Sequence, residues 1–331
     1  MRYRKLGSSD LEVSEIALGS WMFFDDSTDL EENRAVTEGA LDTGITLFDT
    51  ANIYGHGAAE LAWGEILSRH QRNSYVLATK VWGAMPETAR GLSAAKIAQQ
   101  IDASLTRLRT DHVDLYQAHR FDPEVPIEET ITALQRVVEQ GKARYLGFSE
   151  WTPEQIRAAI DIAGPELFVS SQPQYSMLWQ APEAEIFGLC AENDISQIVW
   201  SPLAQGMLTG KYRPGAPPPE GSRRADAQAS RAMTAIFDEP VALAAVERLA
   251  PVAERSGLDL TTLALAWVLR RGEVAAAIVG ASRPEQVRAN VAASGIELSP
   301  ELLASVGDAL GDAPVTTSTL APGAVEGVRH G

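Results

Sequence analysis

Short apolar stretches alternate with amphipathic stretches along most of the chain. The apolar stretches are rich in β-branched residues, which is typical of strands buried on both faces of a parallel sheet. The sequence predicts strands at Ile16–Gly19, Thr46–Asp49, Tyr75–Thr79, Val113–Gln117, Ala143–Ser149, Phe168–Gln172, Ile195–Trp200 and Ala275–Gly280.

The amphipathic stretches have apolar residues at intervals of three and four, which predicts helices with one buried face. These helices are Leu30–Thr43, Ala58–Ser68, Ser93–Arg109, Pro126–Glu139, Thr152–Ala163, Pro182–Asn193, Pro240–Arg255, Leu260–Arg271 and Pro284–Ala293. Strands that alternate with helices in this way predict an α/β fold, a closed TIM (β/α)8 barrel. An open doubly wound sheet should carry Gly-x-Gly-x-x-Gly after its first strand, and Gly19-Ser-Trp-Met-Phe-Phe does not fit. We expect residues 1–331 to form a single barrel domain.

Three segments fall outside the alternation. Residues 3–5 and 12–14 flank a turn with a glycine, which predicts a short N-terminal β-hairpin that plugs the bottom of the barrel. A long irregular loop from Lys211 to about Phe237 follows the seventh strand, and a loop of this length is often a functional lid. The last residues, Asp312 to Gly331, show no period and are interpreted as a tail.

Composition excludes several classes of protein. The formal net charge of -16 would repel phosphates, so we expect neither nucleic acid nor an anionic membrane as partner. The start of the chain lacks an apolar signal region, and no stretch reaches the roughly 18 apolar residues of a membrane span, so we expect a cytoplasmic protein. The lone Cys190 is expected to be a buried, inert thiol, and the histidines show no metal-ligand spacing. The sequence leaves open whether the chain forms a homo-oligomer.

Ionisable residues lie where the predicted strands end. The second strand ends at Asp49, Tyr54 follows five residues later, Lys80 follows the third strand and His119 the fourth. The C-terminal ends of barrel strands meet at one face, where the active sites of such barrels lie. A phenol has a pKa near 10, and a neighbouring ammonium such as Lys80 would lower it. Asp49 would keep Lys80 charged, and His119 could hydrogen-bond a substrate carbonyl.

The segment Phe48-Asp-Thr-Ala-x-x-Tyr-Gly, together with the order of these residues, resembles the aldo-keto reductase superfamily over nearly the whole chain. The segment from Trp200 to Tyr212 and the motif Gly280-Ala-Ser-x-x-Glu-Gln are most similar to the branch of bacterial aldo-keto reductases and potassium-channel β subunits. The resemblance implies an enzyme that reduces a small aldehyde or ketone with NADPH. It implies that the catalytic residues are Asp49, Tyr54 as general acid, Lys80 and His119.

A dinucleotide site is indicated by the last strands. The seventh ends in an aromatic face and hydroxyl donors, and the eighth leads into a helix N-terminus, which is suited to anions. The resemblance implies that NADPH/NADP+ contacts Ser20, Trp21, Asp49, Ser149, Gln172, Trp200, Ser201, Pro202, Leu203, Gln205, Lys211, Arg223, Gly280, Ser282, Gln286 and Asn290. Cationic Lys211, Arg223 and Arg283 favour NADPH over NADH. Two residues depart from the family: Glu150 stands where Asn or Arg is common, and Ala289 where an acidic residue is.

The substrate side is expected to be aromatic. By the resemblance, the substrate contacts Trp21, Tyr54, Trp82 and His119, and further tryptophans near strand ends, together with Phe23, Phe24 and Met177, would extend the wall. Trp63 and Trp267, in helices, are predicted to be core residues. Arg120 has two equal interpretations: it selects a carboxylate or hydroxylated substrate, or it pairs with Asp122 at the surface.

Two other functions remain open. Lys80 could form a Schiff base, as in class I aldolases, which borohydride trapping would reveal. The chain could instead be a redox-sensing or partner-binding protein of the channel β-subunit type, in which the reductase fold is retained.

Overall fold

A computed structural model describes residues 1–21, 29–213, 215–220, 222–225, 240–317 and 320. The predicted wall residues Phe23 and Phe24 lie outside the described residues. Most of the predicted loop from Lys211 to Phe237 lies outside them too.

Within the described residues, parallel strands close into a barrel around an apolar interior. In spatial order the barrel strands are β10, β3, β4, β5, β6, β7, β8 and β9. Their bounds are β3 Ile16–Gly19, β4 Leu47–Asp49, β5 Val76–Val81, β6 Val113–Ala118, β7 Ala143–Phe148, β8 Ser170–Ser171, β9 Ser196–Val199 and β10 Val274–Val279. The pairing of β10 with β3 closes the barrel, with Ala277 opposite Ile16. The predicted TIM barrel is confirmed.

Helices follow the strands and cover the outside of the barrel. They are α1 Leu30–Asp42, α2 Ala58–Leu67, α3 Ala94–Leu108, α4 Ile127–Glu139, α5 Pro153–Ala163, α6 Ile186–Ala191, α7 Pro240–Arg255, α8 Leu260–Leu269, α9 Pro284–Val291 and α10 Pro300–Leu310. α6 is shorter than predicted because its first residues form a separate turn of 3₁₀-helix, Ala181–Glu183. The sequence analysis missed α10, although the Ser299 side chain caps its first turn and Pro300 begins it.

The N-terminal hairpin closes the bottom of the barrel, as predicted. Strands β1 Tyr3–Lys5 and β2 Glu12–Ser14 pair in antiparallel register. Leu6, Leu11 and Val13 are buried and pack with interior residues near the starts of the barrel strands. This apolar plug shields the lower interior from water, so that solvent reaches the barrel axis from the opposite face.

Two strand boundaries bear on the chemistry. β5 runs to Val81, beyond the predicted end at Thr79, so Lys80 lies within the strand and not after it. The strand can continue past a buried lysine because a carboxylate on the adjacent strand neutralises the charge. β8 is reduced to Ser170–Ser171, although its flanking residues were predicted to be part of it.

Several aromatic and terminal predictions have mixed outcomes. Trp63 and Trp267 are core residues, as predicted, but Trp151 and Trp179 are buried as well and do not line the mouth. Cys190 is buried, and burial raises its pKa to about 11, which agrees with an inert thiol. The start of the predicted tail is ordered, because the N–H of Val315 donates to the carbonyl of Leu178. In the part of the chain that is described, no helix is both long and apolar enough to cross a bilayer.

Candidate active site

A buried ion pair lies at the C-terminal end of the barrel interior. Asp49 ends β4 and is in register with Ala78 of β5, so that Lys80, two residues further on, faces the same side. The Lys80 Nζ lies 2.5 Å from Asp49 Oδ1, and the two side chains are 0% and 4% exposed. Lys80 also donates to the backbone carbonyl of Thr50 at 2.9 Å. The ammonium is therefore held in one place by two acceptors.

The second carboxylate oxygen of Asp49 is also occupied. It accepts hydrogen bonds from the Gln172 Nε2 at 2.9 Å and the Gln117 Nε2 at 3.2 Å. These donors, with Lys80, supply the hydrogen bonds that a buried carboxylate requires. The charged pair thus sits in a fully connected polar network inside an apolar barrel.

Tyr54 reaches this network from the loop after β4. A turn of 3₁₀-helix, Tyr54–Gly57, carries it, and Gly55 and Gly57 adopt left-handed conformations with φ of 55° and 97°. The phenol oxygen is 3.3 Å from the Lys80 Nζ. The loop is fixed just before Tyr54, because Asn52 donates its N–H to the Lys80 carbonyl and its side-chain amide to Gln100.

Two opposing effects set the pKa of Tyr54. Loss of solvation raises the pKa of the phenol, and the nearby Lys80 lowers it by less, so the net pKa lies above the ordinary 10.0. Lys80 therefore lowers the pKa of the phenol, in the predicted direction, but loss of solvation outweighs its effect. Tyr54 is protonated at neutral pH, which is the form that can donate a proton.

Lys80 is charged in this environment. Burial disfavours the ammonium, but the carboxylate of Asp49 and the phenol of Tyr54 outweigh burial and raise the pKa of Lys80 above its ordinary value. A Schiff base needs a neutral, nucleophilic amine, and lysines of that kind have a depressed pKa. The aldolase alternative is therefore disfavoured.

His119 completes the cluster. It follows β6, and its backbone N–H donates to the carbonyl of Val81 at 2.9 Å. The imidazole lies edge-on to the ring of Tyr54, with centroids 5.6 Å apart. Burial, together with the positive charges of Arg120 and Lys80, lowers the pKa of His119 well below 6.5. A neutral imidazole can donate one hydrogen bond, so it can polarise a carbonyl oxygen without carrying charge.

Residues at the ends of neighbouring strands hold Trp200 in place. Its indole N–H donates to the carboxylate of Glu150 at 2.9 Å, and the same carboxylate oxygen accepts from the Gln174 backbone N–H at 2.6 Å. Glu150 has a left-handed backbone with φ of 56°, which turns its side chain towards Trp200. The Ser149 hydroxyl donates to the Gln172 carbonyl at 2.8 Å. The half-buried indole is thus fixed along one edge.

The segment after Trp200 folds back over the barrel end. Ser201 and Gln205 adopt left-handed conformations, with φ of 55° and 56°, and bound the turn that contains Pro202 and Leu203. Pro202 and Gln205 are buried, whereas Ser201 and Leu203 are half-buried. Lys211 is exposed, with its Nζ 5.2 Å from the centre of the Tyr212 ring. Backbone N–H groups in such turns form concave anion sites.

The end of β10 leads into α9. Gly280 and Ser282 are exposed, and the Ser282 N–H donates to the Gln286 side chain at 2.8 Å. Gln286 thereby ties the segment just before the helix to its first turn. Asn290, one turn later, is buried, and Arg283 beside Ser282 is exposed. Because Gln286 is held by Ser282 and Asn290 is buried, the two side chains do not form one exposed face in this structure.

Ser20 and Trp21 follow β3, the neighbour of β10 in the barrel, and Trp82 follows β5. The buried Ser20 hydroxyl donates to Thr50 at 2.8 Å. Arg223 packs over the ring of Trp21 at 5.2 Å, and burial lowers the pKa of its guanidinium. Trp82 is half-buried under the guanidinium of Arg90. Trp21 and Trp82 thus lie at the mouth, and Arg223 is partly buried there rather than exposed to solvent.

Comparison with known families agrees with this geometry. A model of the aldo/keto reductase family matches residues 15–310. The chain belongs to this family. Among curated proteins it is 35% identical over 303 residues to a probable voltage-gated potassium channel subunit beta of Arabidopsis thaliana, covering 88% of this chain and 91% of that protein. It is 38% identical to a putative channel subunit beta of Schizosaccharomyces pombe, over 95% and 94% of the two chains.

A solved structure extends the comparison to an oxidoreductase. This aldo/keto reductase superposes on a glycerol dehydrogenase from Gluconobacter oxydans with a TM-score of 0.81 and 29% identity. The match covers 96% of this chain and 99% of the dehydrogenase. The family and this neighbour together support a reductase.

Two residues of this aldo/keto reductase were missed as parts of the site. Gln117 binds Asp49, and strand alternation could have found it, because it lies two residues before His119 and shares its face. Glu150 was noted only as a departure from the family, and nothing in the sequence indicates that it binds Trp200.

Proposed function

We propose that this chain reduces an aldehyde or ketone with NADPH and that Tyr54 is the general acid. The proposal is carried by one observation: a protonated phenol lies 3.3 Å from an ammonium that is itself locked to a buried carboxylate. Neutral His119 stands beside the phenol. A carbonyl oxygen placed between Tyr54 and His119 would receive one hydrogen bond from each.

The proton chemistry follows from this arrangement. As the carbonyl oxygen gains negative charge, Tyr54 gives it the phenol proton, and the phenolate that remains is stabilised by the adjacent ammonium of Lys80. Asp49 keeps Lys80 charged throughout. His119 orients the carbonyl oxygen, and its low pKa prevents it from competing as the acid. Because the polar network is already hydrogen-bonded, little reorganisation accompanies the transfer.

The mouth fits a nicotinamide dinucleotide. The edge of Trp200 is fixed by Glu150, which leaves its flat indole surface to stack on a planar ring. Ser149 and Gln172, on neighbouring strand ends, offer polar atoms for a carboxamide. When bound, NADPH would supply a hydride to the carbonyl carbon. Exposed cations at Lys211 and Arg283 favour NADPH over NADH, because the adenosine 2′-phosphate needs local positive charge in an acidic protein.

Two measurements test this proposal. Fluorescence titration should show tighter binding of NADPH than of NADH. Absorbance should show NADPH consumption with members of a panel of aldehydes and ketones. Binding without turnover on every carbonyl tested would contradict the enzymatic role, and equal affinity for both dinucleotides would contradict the cofactor preference.

A second function is favoured by the relatives, several of which are named as potassium channel subunits beta. In this alternative the chain binds a partner protein, and its dinucleotide reports redox state. The same experiments separate the two functions. Brisk turnover favours the reductase, whereas tight NADPH binding without turnover favours the partner-binding role.

A further inference from the structure

Arg120 lies directly after His119 at the mouth of the barrel, and it is half-buried. Its Nη1 donates to the carbonyl of His119 at 2.6 Å and lies 3.4 Å from the Ser149 hydroxyl. Its positive charge acts on both His119 and Tyr54. Arg120 therefore stands close to the proposed reacting groups, two residues beyond the end of β6.

Arg120 has no carboxylate partner within the described ranges. Asp122 is engaged elsewhere, because its two oxygens accept the backbone N–H groups of Leu92 at 2.7 Å and Glu124 at 3.0 Å. The interpretation that Arg120 pairs with Asp122 at the surface is therefore wrong. Other partly buried arginines behave differently: Arg72 and Arg107 are both paired with buried carboxylates.

Arg120 is thus a cation without a carboxylate partner among the described residues, although the protein as a whole has a net charge of -16. In the same site Asp49 is neutralised by Lys80, and the carboxylate of Glu150 accepts hydrogen bonds from Trp200 and from the Gln174 N–H. A half-buried guanidinium without an anion is costly, because it has lost water without gaining an ion pair. A ligand that supplies a negative charge would recover that cost.

We propose that Arg120 binds the carboxylate of the carbonyl substrate, so that this reductase prefers aldehydes or ketones that carry an acid group. The proposal rests on the proposed function. The geometry suits a carboxylate, since Nη1 is occupied by the chain whereas Nε and Nη2 have no hydrogen-bond partner in the described parts of the protein. These two nitrogens form the planar fork that binds both oxygens of a carboxylate.

The test compares two aldehydes of nearly equal shape, 4-carboxybenzaldehyde and the neutral 4-formylbenzamide. Wild type should have the higher kcat/KM for the acid. Arg120→Gln should lower kcat/KM for the acid at least about 10-fold more than for the amide, and this extra loss should lie mainly in KM. Arg120→Lys keeps the charge but not the fork, so it should restore part of the preference. Arg136→Gln removes the same charge from an exposed position on α4 and should change kcat/KM for neither substrate.

Calorimetry provides a readout that does not depend on turnover. The alcohol product 4-(hydroxymethyl)benzoate should bind wild type in the presence of NADPH, a pair that cannot react, and bind Arg120→Gln much more weakly, whereas the corresponding amide should bind both alike. Equal losses on acid and amide, or an unchanged acid preference in Arg120→Gln, would overturn the proposal. A loss of NADPH affinity in place of substrate affinity would overturn it too, and would assign Arg120 to the dinucleotide. Arg120-dependent binding of the acid without turnover would contradict the reductase function alone.

Discussion

Replacement of Lys80 by Met should both destabilise the fold and slow the proton transfer. The substitution keeps the length of the side chain but leaves Asp49 buried with only amide donors. Removing one partner of a buried ion pair costs about 3–5 kcal/mol of unfolding free energy. The ammonium lies 3.3 Å from the phenol oxygen, so at an effective dielectric constant of about 20 its attraction for the phenolate is at most about 5 kcal/mol.

That attraction is realised only in part during proton transfer, because the phenolate is only partly formed in the transition state. We therefore expect kcat to fall by roughly 10²–10³ in Lys80→Met. Urea unfolding gives the stability and single-turnover NADPH absorbance gives the rate. A matched control is Lys142→Met, since Lys142 and Asp102 are also 2.5 Å apart, but Asp102 is 61% exposed and Lys142 26%. The free energy of unfolding of that variant should be lower than that of wild type by less than about 1 kcal/mol.

The double variant Asp49→Asn/Lys80→Met separates the two effects. It removes both charges, so it should regain much of the stability lost in Lys80→Met while staying catalytically impaired. Stability of Lys80→Met equal to wild type, or no recovery in the double variant, would refute the reasoning about burial. Near-normal turnover in Lys80→Met would refute the electrostatic role.

Three further predictions follow from the same structure. Because the pKa of His119 is depressed in the folded protein, the unfolded chain binds a proton on this histidine more tightly. The free energy of unfolding should therefore fall as the pH drops below about 6.5, and it should fall less steeply in His119→Gln. Parallel pH curves of wild type and variant in denaturant titrations would contradict this. The raised pKa of Tyr54 predicts that kcat for reduction stays level until above about pH 10, and an earlier decline that tracks the phenol would oppose it. A Cβ at Gly64 would clash with the Arg107 carbonyl, so Gly64→Ala should lower the free energy of unfolding by at least about 1–3 kcal/mol. Gly188 has open space around it, so Gly188→Ala should leave the stability unchanged or raise it. Equal melting temperatures of the two variants would contradict the packing argument.

The sequence predicts the position of the chemistry well because the barrel topology is strict. Asp49, Lys80 and His119 lie at or next to the C-terminal ends of successive strands, and those ends meet at one face. Their convergence with Tyr54 therefore needed only the strand order. The N-terminal plug was predictable for a similar reason, since two short strands around a glycine turn precede the first barrel strand.

Other features depend on side-chain environments that no periodicity encodes. The net pKa of Tyr54 is a balance between loss of solvation and attraction by Lys80, and a sequence gives no measure of burial at the mouth. Trp151 and Trp179 follow strand ends as Trp200 does, yet packing buries the first two and leaves the third half-buried. The hydrogen bond from Trp200 to Glu150 joins residues 50 positions apart, which only the folded chain brings together.

The most direct test of the central claim is the single-turnover rate of NADPH oxidation by Tyr54→Phe, measured beside Tyr116→Phe. Tyr116 is a buried phenol whose hydroxyl has no hydrogen-bond partner among the described residues, so its variant controls for the loss of a hydroxyl. We predict that Tyr54→Phe binds NADPH normally but loses at least about 10²-fold in rate, while Tyr116→Phe matches wild type. Normal turnover by Tyr54→Phe would contradict the account.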